Sequence, residues 1–149
     1  IITRSFPMIR IGKMTDYAML IMSQMAKTPG SVLSAASLAD VLYLSAPTVS
    51  KILKMLSEAQ LVNSIRGAEG GYLLSRPAGE ISVAHIIAAM EGDLALTECC
   101  ESSDLCVLDS MCTMRDNWRK INKMVSSLLA KLTIQDMSQT LPQGLFDDK

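Results

Sequence analysis

A mainly α-helical chain carrying one short β-hairpin is predicted by three features of the sequence. Apolar residues recur at three- and four-residue intervals through most of its length. One glycine-rich segment, residues 67–71, separates two short apolar stretches, and only six of the 149 residues are aromatic while eleven are methionine. The recurrence puts the apolar residues of each helix on one face. A chain of this length suffices for one well-buried domain, or a small domain with an appendage.

No apolar run approaches the roughly 20 residues that cross a bilayer, and no secretory pattern precedes the first helix. The expected location is the cytoplasm, where clustered cysteines stay reduced and favour metal over disulfide. Residues 1–7 fit no later pattern and read as a disordered leader, with the natural start expected at Met8. Net charge is −1 overall, but the halves differ. Residues 1–80 hold eight Lys/Arg and five Asp/Glu, whereas residues 81–149 hold six and ten. A basic front and an acidic back suit a DNA-binding head on an oligomerising body.

The first helix is predicted over residues 14–27, with apolar positions 14, 17, 18, 21, 22 and 25, Thr15 or Asp16 as its cap, and Thr28-Pro29-Gly30 as its stop. A shorter second helix fits residues 35–43, capped by Ser34 or Ser37. Ser45 then caps a third, with Pro47 tolerated in its first turn. That helix runs to about Ala59, burying Val49, Ile52, Leu53 and Leu56 and presenting Thr48, Ser50, Lys51 and Lys54. Residues 62–66 and 71–75 read as antiparallel strands closed by Gly67, Gly70 and Gly71, flanked by Arg66 and Arg76. Two short helices, a polar-faced third and a basic-rooted hairpin make a winged helix-turn-helix. The third helix of that arrangement enters the major groove and the hairpin reaches adjacent backbone. Thr48, Ser50, Lys51, Lys54 and Arg66 are therefore the candidate DNA contacts.

Ser82 caps a fourth helix, residues 83–91, ended by Gly92; His85, the single histidine, is expected to be a partly buried structural side chain. Residues 114–135 form the longest helical stretch. Trp118, Ile121, Val125, Leu128 and Leu132 step by three and four, a seam that predicts a second copy of the chain as its cover. The expected organisation is a leader at 1–7, a winged head at 8–80, a connecting helix at 81–98, a cysteine loop at 99–113, a dimerisation helix at 114–136 and a flexible tail at 137–149.

All four cysteines fall between residues 99 and 112. Cys100, Cys106 and Cys112 stand at C-x5-C-x5-C with Cys99 beside the first. Thiolates are soft ligands suited to zinc or iron–sulfur clusters, and Glu98, Glu101, Asp104 and Asp109 offer oxygen ligands or simply solvate the loop. A disulfide with loose thiols, or cysteines serving as small hydrophobes, is the plainer alternative. An enzyme is not expected. There is no C-x-x-C beside a βαβ pattern, no glycine-rich phosphate loop and no histidine near the thiols.

Four blocks, residues 8–18, 62–77, 81–92 and the cysteine loop, together resemble the IscR/NsrR family of dimeric bacterial winged-helix regulators that hold an iron–sulfur cluster. Within it the chain is most similar to the regulator type associated with the SUF cluster-assembly system. The resemblance implies Cys100, Cys106 and Cys112 as cluster ligands. IscR-type members place a histidine three residues beyond the last cysteine, where this chain has Arg115, which carries no free lone pair. NsrR-type members use an aspartate at the start of the first helix, reaching from the other subunit, and here that residue is Asp16; Cys99, Glu98 and Glu101 are its rivals. The resemblance leaves [2Fe–2S] and [4Fe–4S] open, and it admits nitric-oxide sensing of the NsrR type. A structural zinc site is the non-sensing alternative.

Overall fold

The structure is a computed structural model that describes residues 10–101, 113–141 and 143–144. Helix α1, Lys13–Ala26, and helix α3, Ala46–Glu58, cross at the centre of the head, with α2, Ala35–Leu42, packed against α3. Strands β1, Val62–Ile65, and β2, Gly71–Leu74, form the wing, pairing antiparallel from Val62↔Leu74 to Ile65↔Gly71. A 3-10 turn at Ala78–Glu80 leads to α4, Val83–Glu91. A single turn, α5, covers Glu98–Glu101; α6 spans Arg115–Lys131 and α7 Ile134–Met137. This is the winged helix-turn-helix that the sequence predicts.

The local signals explain the helix ends. Ser34 Oγ accepts the Ser37 N–H at 3.0 Å and Ser45 Oγ accepts the Thr48 N–H at 3.3 Å, each an N-cap of the kind worth about 1 kcal/mol. Helix α4 starts on a reciprocal pair in which Ser82 Oγ accepts the His85 N–H and His85 Nδ1 accepts the Ser82 N–H, both at 3.1 Å. His85 is thus an exposed capping residue, not a partly buried one. Helix α1 departs from expectation. It carries no cap from its own segment: Gly12 is its N-cap, and the Glu91 carboxylate accepts both the Gly12 N–H at 2.7 Å and the Thr15 hydroxyl. Thr15 is buried inside the helix, and Glu91 places a negative charge at the positive end of the α1 dipole.

The core joins α1, α2, α3 and the wing base through Ile21, Met22, Leu38, Ile52, Leu53 and Leu56. Two backbone bonds, Leu33 N–H to Tyr72 O and Tyr72 N–H to Leu33 O, both 2.8 Å, stitch the wing to the segment before α2. A β-carbon on Gly71 would lie 2.5 Å from the Leu33 oxygen, so only glycine permits this seam.

The back half needs two corrections. The long helix does not continue to Gln135. It stops at Lys131, and Leu132–Thr133 run extended beside residues 81–83, with Val83 N–H to Leu132 O at 2.8 Å and Ile134 N–H to Ile81 O at 2.9 Å. Leu132, expected on the dimer seam, is instead buried against Val83 and Ile87, and Ile134 is fully enclosed in the main core. Leu141 also packs against that second cluster.

Candidate nucleic-acid interface and cysteine site

Helix α3 divides cleanly. Val49, Ile52, Leu53 and Leu56 are fully buried, and Ser50, Lys51 and Lys54 are exposed on the other face. Thr48 is half-buried, and its hydroxyl lies 2.6 Å from Ser45 Oγ, tying it to the cap at the start of the helix. Arg66 is exposed just beyond β1, on the turn that Gly67 makes with φ +115°. Lys51, Lys54 and Arg66 form no ion pair with any described residue. A polar helix face flanked by a basic wing is the form that reads a major groove and its phosphates. Tyr43 was not singled out by sequence reasoning. It is 96% exposed at the turn before α3 and sits in the left-handed region at φ +55°.

Helix α6 has no fully buried residue in its 17 positions. Trp118, Ile121 and Leu128 are each about two-fifths exposed, Val125 is half-buried, and Met114 and Met124 are more exposed still, at 62% and 71%. Trp118, Ile121, Val125 and Leu128, the residues predicted for a seam, are therefore at least partly exposed among the described residues. Met124 widens that face, and Leu132 is no part of it.

Of the predicted cluster ligands, Cys106 and Cys112 lie outside the described residues. Cys100 stands in α5, half-buried, on the wall of a cavity of about 670 Å³ that also takes in Arg10, Ile11, Glu91 and Glu101. Its sulfur accepts the Thr97 hydroxyl at 3.2 Å. Hydrogen bonds to a sulfur are among the means by which proteins tune a thiolate-bound cluster, so this sulfur fits such a group. Asp16 is exposed on the first turn of α1 and lines a second cavity of about 550 Å³, whose wall shares Arg10, Ile11 and Ile87 with the first. Among the described residues no three His, Cys, Asp or Glu side chains come together.

Two further residues escaped the sequence reading because their partners are remote. Glu91 reaches the start of α1, as described above. Asn122, on α6, accepts the Leu96 N–H at 2.9 Å and donates to the Leu94 carbonyl at 3.0 Å, holding the strand of chain that enters α5.

Residues 11–140 match the Rrf2 family, described as iron-dependent transcriptional regulators. The chain belongs to the Rrf2 family. Among Rrf2 relatives, a protein named as an HTH-type transcriptional regulator in Neisseria meningitidis serogroup A is 34% identical over 133 residues, covering 89% of this chain and 88% of that protein. NsrR of Oceanobacillus iheyensis is 28% identical over 131 residues, covering 87% and 89%. Of solved Rrf2-like structures, CymR of B. subtilis, the global cysteine regulator, superposes with a TM-score of 0.69 at 29% identity over 87% of this chain and 96% of that one. IscR of T. potens gives 0.65 at 28% identity over 87% and 85%. These relatives are named as transcriptional regulators, not enzymes. This Rrf2 chain is likewise a DNA-binding regulator, and no helix among its described residues is long and apolar enough to cross a membrane.

Proposed function

We propose that this regulator is a cytoplasmic homodimer whose operator binding is governed by an iron–sulfur cluster on Cys100, Cys106 and Cys112, with Asp16 of the partner subunit as fourth ligand, and that it controls genes of SUF-type cluster assembly. The observation that supports it most is the seat of Cys100: one short segment ties this thiol's surroundings to the start of α1 through Glu91 and to α6 through Asn122. The cluster, when bound, supplies an iron- and oxidant-sensitive set of bonds to those residues. Each chain's own part is then mechanical. The exposed seam of α6 pairs with its copy, α3 offers Thr48, Ser50, Lys51 and Lys54 to bases and phosphates, and Arg66 holds backbone or minor groove. Half-sites one turn apart, about 34 Å, demand one spacing of the two α3 helices. Ligands drawn from two subunits favour one such spacing and shift its population by the difference in affinity.

A nitric-oxide-sensing role is the second reading, supported by Arg115 standing where a histidine would be and by Asp16 being exposed at the start of α1. Anaerobic purification separates the rivals. A coloured protein with iron and acid-labile sulfide in stoichiometric amounts is expected, and Asp16→Ala should alter its Mössbauer spectrum. A colourless protein holding one zinc per chain replaces the reading with a structural metal site. An operator affinity insensitive to removal of the metal ends the sensing proposal. Among coloured outcomes, selective loss of DNA binding on nitric oxide favours the second reading over control by cluster demand.

A further inference from the structure

The side chain of Asn122 performs a task that an apolar seam does not need. An amide offers one acceptor and a donor group side by side. Asn122 spends both on the backbone of Leu94 and Leu96, positions i and i+2 of one irregular segment, across 28 and 26 residues of sequence. Leucine or alanine at position 122 would leave an N–H and a carbonyl of that segment without these partners, and aspartate would keep only the acceptor. Leu96 is followed directly by Thr97, whose hydroxyl bonds to Cys100 Sγ. Upstream, Glu91 is fixed to Gly12 and Thr15 at the start of α1. Residues 91–100 thus form a strap pinned at one end to the DNA-reading head and near the other to the long helix, with the cysteine just beyond the second pin.

From this geometry we infer that Asn122 is a positioning residue: it sets the placement of Cys100 from α6, so that the seating of the cysteine loop and the docking of the long helix are coupled. The coupling is reciprocal. Whatever the loop binds steadies α6 by the same free energy that a properly docked α6 contributes to loop binding. The inference rests on the reading of residues 99–112 as the ligand loop, and it names how that loop reports to the dimer helix.

The test uses the full chain, first metal-free. In Asn122→Ala, amide hydrogen exchange across residues 93–101 should accelerate at least tenfold and iodoacetamide alkylation of Cys100, followed by mass spectrometry, at least fivefold. Exchange across α1, α2 and α3 should stay within twofold of the unsubstituted protein. Asn122→Asp, which retains the acceptor, should fall between the two. After anaerobic reconstitution, iron release to a chelator should be at least fivefold faster in Asn122→Ala. Unchanged exchange or unchanged alkylation overturns the inference, as does an acceleration that spreads equally through α1–α3, which would mark general loosening. Failure of the unsubstituted protein to take up iron sinks the proposed cofactor, and the metal-free rates then judge Asn122 by themselves.

Discussion

Helices α3 and α6 are both amphipathic, yet the molecule treats them oppositely. All four inward residues of α3 are fully buried, while none of the 17 residues of α6 is. The difference lies in what each helix has to pack against. Three other helices and the wing base pack against α3, whereas α4 and α5 are the main elements that α6 meets among the described residues. The core around α3 is therefore closed, whereas α6 leaves apolar side chains exposed among the described residues. That contrast predicts separable effects.

Leu53→Ala should cost about 3 kcal/mol of unfolding free energy, the usual penalty for emptying a closed core, and should leave sedimentation of the folded protein unchanged; chemical denaturation and ultracentrifugation together check this. Ile121→Asp should do the reverse. It should weaken self-association by about 2 kcal/mol, as for a central interface residue, while the head melts at its original temperature. A dimer unaffected by that charge would refute the assignment of the α6 seam. On the outward face of α3, Lys54→Ala should lower affinity for operator and random DNA alike and reduce the slope of log K against log salt by about one; an unchanged slope removes Lys54 from the interface. Tyr43→Gly should raise stability by about 1 kcal/mol, because glycine adopts the left-handed backbone without the steric cost that tyrosine bears.

The smallest expected effect concerns the far end of α6. The Thr133 N–H first, then its hydroxyl, hold the Asp136 carboxyl below the ordinary 3.8. A carboxyl whose folded value is depressed stabilises the fold fully above its unfolded value, and that contribution fades as pH falls through the folded one. Acid unfolding should therefore loosen α7 below about pH 4, and Asp136→Asn should remove the part of that pH dependence due to this residue, as followed by exchange of the Ile134 amide.

How much of this was legible depends on where each partner stood. The cap, proline and apolar spacing of α3 all lie within its own segment, and the structure reproduces its inward face residue for residue. The end of α6 was misread because Leu132 continues the three-four spacing. The restart signal was nevertheless present: Thr133 and Asp136 form a reciprocal cap of the sort that opens a new helix. The cap of α1 could not be found locally, since Glu91 lies 79 residues from Gly12. Asn122 was invisible for a related reason: it bonds to main-chain atoms, which leave no mark on residue type. Of the three cysteines that the spacing nominates as ligands, Cys100 is the one among the described residues.

The seam between Leu33 and Tyr72 has a mechanical consequence. The bonds from Leu33 fall on Tyr72, next to the turn and not at the hairpin's base, and Gly71 leaves no slack there, so the turn that carries Arg66 is anchored to the body of the head. Any rotation of the head would therefore carry that guanidinium with it rigidly, and the distance it must span to a phosphate would be set by the placement of the head and not by bending of the wing.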